Sequence, residues 1–295
     1  MPVTHSPLRY PGGKTQLAPF VLDLIQGNGL YGGVYCEPFA GGAGVAWQLL
    51  LDGHISEVWI NDLDPAIHAF WSAVLDDTDA LCELVESTPI TIDEWHLQRA
   101  TLQADSATPL QRGFATLFMN RTNRSGILKG GVIGGLGQTG NYALDCRFNR
   151  RELVRKIKRI GSYRAVIRLS CLDAAECLKE WDKALPTRSL INIDPPYFAQ
   201  GQALYLNFYK TEDHADLAEV VRGLRRHWMV TYDNVPDISR LYRGLPQHTS
   251  SLIYYAQIKR RANELMVLSP SLTLPIEADS VTIDPAGFIR KPCSG

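Results

Sequence analysis

The chain reads as a three-layer α/β sandwich built from both of its ends, with a basic, mainly helical insertion between them. Three observations predict this. Residues 33–64 run strand, Gly-rich turn, helix, strand, acid, which opens a βαβ unit. Short apolar runs return after residue 165. The stretch between is helical in periodicity and carries fourteen Lys and Arg against three acids over residues 99–168.

Each element follows from its residues. A loop at 10–13 with two glycines leads into a helical stretch at 14–26, and an apolar strand follows at 33–36. Gly41, Gly42 and Gly44 turn the chain into a helical pattern at 45–51, and the next strand, 57–60, ends just before Asp62 and Asp64. Residues 65–104 are helical in pattern, with Trp71, Leu75, Leu81, Leu84 and Val85 as core positions. An apolar helix at 110–119 runs into GILKGGVIGGLGQTG at 126–140 and then a charged helix at 150–160. So many glycines between two helices predict a mobile loop or hairpin rather than core. Alternating runs at 165–170, 189–193 and 227–231, with an antiparallel-looking pair at 251–257 and 264–268, complete the sheet. The expected organisation is a body of residues 1–75 and 165–269, an insertion of 76–164 that grips a polyanion, and a loosely attached tail at 270–295.

At 295 residues, 45% hydrophobic and 21% charged, the chain buries a full core, which excludes disorder as its dominant state. Cys36, Cys82, Cys146, Cys171, Cys177 and Cys293 are scattered, with no C-x-x-C pair and no paired histidines. Neither a disulfide framework nor a zinc site is supported, and no metal is expected. No stretch reaches the roughly 18 unbroken apolar residues of a membrane span, and the N-terminus lacks an apolar leader. The expectation is a soluble, unprocessed protein of a reducing cytoplasm, with no membrane partner. A formal net charge of −1 hides the asymmetry, because residues 99–168 are strongly basic and the remainder acidic. That is the distribution of a module binding nucleic acid beside a separate body. For 150–159 alone, a solvated basic helix is the plainer alternative.

Three motifs carry chemistry. EPFAGGAG at 37–44 lies between strand and helix, so its backbone can approach a ligand at the helix N-terminus. It is not a dinucleotide fingerprint, because Trp47 stands where a third Gly or Ala belongs. Asp62, ending the second strand, is placed to accept hydrogen bonds from the two hydroxyls of a ribose. A ribose without a pyrophosphate points to an adenosine-type cofactor such as S-adenosylmethionine. GGKT at 12–15 mimics the end of a phosphate-binding loop, but Leu8 replaces that loop's first glycine and no apolar strand precedes it. Lys14 could instead reach an anionic ligand such as a carboxylate. The strongest signal is INIDPPYF at 191–198, where an apolar strand delivers Asp194 to its C-terminal end and Pro195 and Pro196 stiffen the loop. A carboxylate, a backbone carbonyl and the ring of Tyr197 then surround one small volume. An amino group on a planar heterocycle suits it: its two N–H bonds go to Asp194 and the carbonyl of Pro195, while Tyr197 stacks on the ring.

Taken together, the chain resembles the Dam-type DNA adenine methyltransferases from about Leu8 to Ser269. The motifs fall in that family's order: RYPGGK at 9–14, EPFAGG at 37–42, NDLD at 61–64, FMNRTNRSG at 118–126, RFN at 147–149, DPPYF at 194–198, VTYDN at 230–234 and RRANELMVL at 260–268. The resemblance implies a Rossmann-like class I methyltransferase fold and S-adenosylmethionine as cofactor. Tyr10 would lie against the cofactor where many relatives carry Trp, and Lys14 would help hold it. Pro38, Phe39, Ala40, Gly41 and Gly42 would wrap its methionine part, Asp62 its ribose and Asp173 its adenine. Asp194 would face both the methyl donor and the target amino group of an adenine flipped out of double-stranded DNA. Residues 120–129 would form the hairpin entering DNA, which makes Asn120, Arg121, Arg124, Ser125 and Lys129 candidate DNA contacts, with Arg9, Arg147 and Asn149 beside them. Many relatives carry an aromatic residue and Asn where this chain has Arg124 and Ser125. Amino methylation of cytosine, RNA or a protein glutamine stays open, as does a DNA-binding relative without catalysis. A partner restriction endonuclease and a bacterial, phage or plasmid origin are likewise compatible with the resemblance.

Overall fold

The central strands are short, apolar and covered on both faces, as a parallel sheet between helices requires. The computed structural model of the protein describes residues 4–9, 14–198, 209–255 and 259–274. Tyr10, the last residues of the expected strand at 251–257 and the tail from residue 275 lie outside the described residues. β1 (Val34–Glu37) and β4 (Ser189–Ile193) are buried throughout, and β2 (Glu57–Asn61) at all but its first residue. β3 (Ile167–Ser170) and β5 (His227–Asp233) extend the parallel set, while β6 (Gln247–Tyr255) and β7 (Lys259–Leu268) form an antiparallel pair joined to β5 through β7. The order is β3-β2-β1-β4-β5-β7-β6.

Alternation along the strands divides the core into two layers. Tyr35, Val58, Ile60, Leu190 and Met229 face one side, and Val34, Cys36, Trp59, Ile191, Val230 and Tyr232 the other. The second side is closed by α8 (Ala174–Ala184), α9 (Thr211–Arg222) and α10 (Pro236–Leu241), three helices beyond those read from the sequence. The first is covered by α1 (Ala18–Gly27), α2 (Gly44–Leu51) and α3 (Pro65–Asp76). The helices of the insertion, α4 (Thr78–Ser87), α5 (Ile92–Gln103), α6 (Pro109–Thr122) and α7 (Arg150–Gly161), enlarge this same layer. Leu81, Trp95, Phe118 and Ile157 share one apolar cluster with Tyr35 and Ile60 of the sheet. The contact of α6 with α3 needs Gly113, where a Cβ would lie 2.5 Å from the Ala69 carbonyl oxygen.

Two expectations change in detail. The helix read at 14–26 begins as a short 3₁₀ turn at Thr15–Leu17, and α1 starts only at Ala18, because Pro19 has no N–H to extend the helix backwards. The Gly-rich stretch after α6 is a hairpin with a fixed root. Asn123 and Val132 form an antiparallel bridge, Val132 and Ile133 are buried, and Trp95 donates to the Asn123 side chain at 2.7 Å. Its outer part exposes Leu136 and Tyr142.

Much of the positive charge over residues 99–168 is used internally. Arg150 donates to the carbonyls of Val85, Glu86 and Thr88 at the C-terminal end of α4, and Arg112 to that of Ala104 after α5. Arg164 pairs with Asp76 at 2.7 Å and Arg168 with Glu57 at 2.7 Å. The count over 99–168 thus overstates what faces a ligand.

Candidate active site

The site is placed by register. Val34 on β1 is level with Glu57 on β2 and Ser189 on β4, so all three strands release their following residues at one edge. The chain winds outward from β1 to β2 and β3, then returns to place β4 on the other side of β1. At such a reversal a crevice opens beyond the carboxyl ends of the strands. A cavity of about 430 Å³ occupies it, within the range of small-ligand sites. Pro38, Phe39, Ala40, Gly42, Asp62 and Asp194 line it, with Lys14, Arg9, Arg121, Arg147 and Lys156.

The turn after β1 is held by β2. The Ala40 N–H donates to the Asn61 carbonyl at 2.9 Å, and the Gly41 N–H to Asp62 Oδ2 at 2.8 Å. Gly41 adopts φ 46°, a left-handed conformation that favours glycine, and its carbonyl accepts from Trp71 Nε1 at 2.9 Å. The buried Asn61 clips the strand ends together: its amide donates to the carbonyls of Pro38 and Leu172 and accepts from the Leu172 N–H and the Ser170 hydroxyl. Asp62 Oδ1 also accepts from the Asp64 N–H at 2.9 Å. Burial pushes the Asp62 carboxyl up to about 7, against those two hydrogen bonds. Asp173 does not line this cavity. Its carboxylate caps α8, accepting from the Ala175 N–H at 2.8 Å, and lines an adjoining depression that shares Leu63 and Tyr209 with the main cavity.

Beyond β4, Asp194 meets an ion network. Its Oδ1 takes Lys14 Nζ at 2.6 Å and the Thr231 hydroxyl at 3.1 Å, and neither contact falls on Oδ2. Lys14 also lies 2.9 Å from Glu264 Oε2, and the Tyr197 hydroxyl donates to Glu264 Oε1 at 2.7 Å. Burial disfavours the ammonium, yet the two carboxylates outweigh it and raise the Lys14 pKa above its ordinary value. The Tyr197 ring stands 5.5 Å over the same ammonium. The loop's far end is fixed by the Phe198 N–H, which donates to Asp233 at 2.9 Å. Glu37, buried at the end of β1, is pushed up to about 8 by burial and further raised by Asp194. Glu37, Asn61, Thr231 and Glu264 received no role from the sequence. For Glu264 the available signal is an acid directly before an apolar run, LMVL at 265–268.

The candidate DNA contacts divide. Arg124 and Lys129 are exposed on the hairpin, and Ser125 sits at φ 57° in its first turn. Asn120 is 1% exposed. Its amide grips both backbone groups of Arg9, at 2.7 and 2.8 Å, and the Gly126 carbonyl at 2.9 Å, which makes it a brace between the N-terminal segment and the hairpin. Asn149 caps α7 through the Glu152 N–H. Arg121 holds the Pro7 carbonyl with two guanidinium nitrogens. Its pKa is pulled down to about 10 by burial and then by Arg9 and Arg147, with Glu152 opposing. Burial and Arg147 likewise lower Arg9, and burial and Arg121 lower Lys156. Part of the cavity wall therefore gathers cations that repel one another.

Sheet order and site together define a class: an α/β domain with five parallel strands, an antiparallel β7 inserted between β5 and β6, and a Gly turn and acid at the edge is a Rossmann-like methyltransferase of class I. The D12 class N6 adenine-specific DNA methyltransferase family matches residues 10–260, and the chain belongs to that family. It is an S-adenosylmethionine-dependent, adenine-specific DNA methyltransferase. The chain is 22% identical to the Type II methyltransferase M.MjaIII of Methanocaldococcus jannaschii over 260 residues, 80% of this chain and 87% of that protein. Among solved structures, PH1948 from Pyrococcus horikoshii aligns at TM-score 0.40 and 10% identity, over 88% of this chain and 85% of its own. A SAM-dependent methyltransferase from Agrobacterium tumefaciens aligns at 0.38 and 11%, over 88% and 63%. Among the described residues no helix is long and apolar enough to cross a membrane.

Proposed function

We propose that the protein methylates the exocyclic amino group of adenine in double-stranded DNA, after the base has been flipped out of the helix. The observation that carries the reading is Asp194, delivered by a buried strand to the wall of the cavity that Asp62 and the Gly turn also line. The cavity fits S-adenosylmethionine: an Asp62 carboxylate held by two backbone N–H groups is oriented for ribose hydroxyls, and Pro38, Phe39 and Ala40 offer wall for the methionine part. When bound, this cofactor supplies an electrophilic methyl on a sulfonium, which needs no metal and no covalent enzyme intermediate.

The chain's own work is then to align the reactants and to accept a hydrogen bond from the target amino N–H, whose proton passes to solvent once the nitrogen has been methylated. Asp194 accepts an N–H of the target amino group through Oδ2, the oxygen that carries neither Lys14 nor Thr231. Pro195 and Pro196 keep the second acceptor, the Pro195 carbonyl, fixed beside it. Because an adenine inside a duplex is out of reach, extrusion costs a few kcal/mol, which stacking on Tyr197 and backbone contacts offset. The cations Arg9, Arg121, Arg147 and Lys156 favour a polyanion at the cavity, with Arg124 and Lys129 on the hairpin beside the duplex.

Asp194→Ala is the test of the reading. Incorporation of labelled methyl into duplex DNA should vanish, while binding of the duplex remains near wild type. Methylation by Asp194→Ala at the wild-type rate would remove Asp194 from the chemistry.

A further inference from the structure

The end of β4 and the middle of β7 meet at one ammonium from near the start of the chain. Lys14 Nζ lies between Asp194 Oδ1 at 2.6 Å and Glu264 Oε2 at 2.9 Å, and its side chain is 3% exposed. Glu264 is equally hidden, at 2%. Both of its oxygens are engaged, Oε2 by Lys14 and Oε1 by the Tyr197 hydroxyl at 2.7 Å. One side chain on β7 thus holds the lysine that pairs with Asp194 and the aromatic ring that follows it. Glu264 is in register with Asp233 on β5, which takes the Phe198 N–H, so neighbouring positions of two strands fasten both Tyr197 and Phe198.

A buried ion cluster is costly, and replacing it with apolar side chains would often be neutral for folding. Its arrangement has a chemical consequence. An ammonium facing a single carboxylate would claim that carboxylate's electron density and leave it a poor acceptor for another N–H. With a second carboxylate on its other side, the ammonium is shared. The cluster of one cation and two anions also keeps a net negative charge beside the place where a sulfonium would lie.

We propose that Glu264 is a positioning residue for methyl transfer: by sharing Lys14 and anchoring Tyr197, it keeps the Asp194 carboxylate in place and able to accept the target amino N–H. This rests on the reading of Asp194 given above. Glu264 touches neither base nor cofactor in this role and acts only through Lys14 and Tyr197.

The test compares wild type, Glu264→Gln and Glu264→Asp in single-turnover methylation of duplex DNA, with duplex affinity, S-adenosylmethionine affinity and melting temperature measured alongside. Glu264→Gln keeps the shape and removes the charge. Its transfer rate should fall roughly 10- to 100-fold, with duplex affinity within about threefold of wild type. Glu264→Asp, which restores the charge, should recover part of that loss. The effect should also shrink in a Lys14→Ala background, because the two residues act as one unit. A wild-type transfer rate in Glu264→Gln, or a loss confined to duplex or cofactor affinity, overturns the proposal. If Glu264→Gln does not fold, Glu264→Asp decides: slower transfer with duplex affinity intact supports it, and a wild-type rate overturns it. Failure of the wild-type protein itself to methylate any duplex would instead sink the reading of the function.

Discussion

Asp62→Asn separates the two demands placed on one carboxylate. Burial pushes Asp62 from 3.8 up to about 7, so the native protein keeps a proton there over a range in which the unfolded chain has lost it. Asp62's contribution to native-state stability must therefore decline as pH rises from about 4 to about 7 and level off above that. Three units correspond to at most about 4 kcal/mol, and water reaching the carboxylate from the cavity reduces this to about 2 kcal/mol. Asparagine has no proton to lose. It also has only one acceptor for the two N–H groups, of Gly41 and Asp64, that the carboxylate holds at 2.8 and 2.9 Å, a pH-independent cost of about 1 kcal/mol. Without cofactor, Asp62→Asn should be the less stable protein at pH 5 and should close or reverse the gap by pH 8. Denaturant unfolding of both proteins at the two pH values measures this directly. Every other group titrates alike in both, so parallel curves would refute the reasoning. Cofactor affinity should move the opposite way. Wild-type affinity should rise as pH passes 7 and Asp62 ionises, whereas Asp62→Asn should bind S-adenosylmethionine about 10- to 100-fold more weakly at pH 8; equal affinity there would remove Asp62 from the cofactor site.

Arg124→Ala and Lys129→Ala should each weaken duplex binding and lower its salt dependence by about one phosphate's worth, or relax sequence preference, while S-adenosylmethionine affinity stays unchanged. Titrations at two salt concentrations test this, and unaltered affinity and preference in both variants would take the hairpin out of the DNA interface. Gly113→Ala puts a methyl 2.5 Å from the Ala69 carbonyl oxygen, so it should force α3 and α6 apart at a cost of about 1–3 kcal/mol. An unchanged unfolding midpoint would show that these helices do not pack as described.

The parts of the fold legible in the sequence are those that local chemistry decides. Val34, Tyr35 and Cys36, or Ile191 and Ile193, are apolar on both faces because their strands are covered on both faces. The Gly turn, Asp62 and Asp194 were readable because each directly follows such a strand. What escaped depends on partners distant in the chain. Thr231 reaches Asp194, and Glu264 reaches the Lys14 that pairs with it, only because β5 pairs with β4 and β7 with β5. Lys14, which the resemblance puts at the cofactor, lines the cavity, but its sharing between Asp194 and Glu264 is invisible in sequence because Glu264 lies 250 positions along the chain. Asn120 was read as a DNA contact, yet Arg9 and Gly126 fold against it and bury it. Charge counting could not distinguish Arg150, spent on carbonyls at the end of α4, from Lys129, which is exposed.

The function proposed for Asp194 stands or falls with the atom that receives the methyl group. Wild-type protein incubated with labelled S-adenosylmethionine and duplex DNA, followed by digestion to nucleosides, answers it. The label is predicted in N6-methyladenine; label in a cytosine product, or none in DNA at all, would contradict the account.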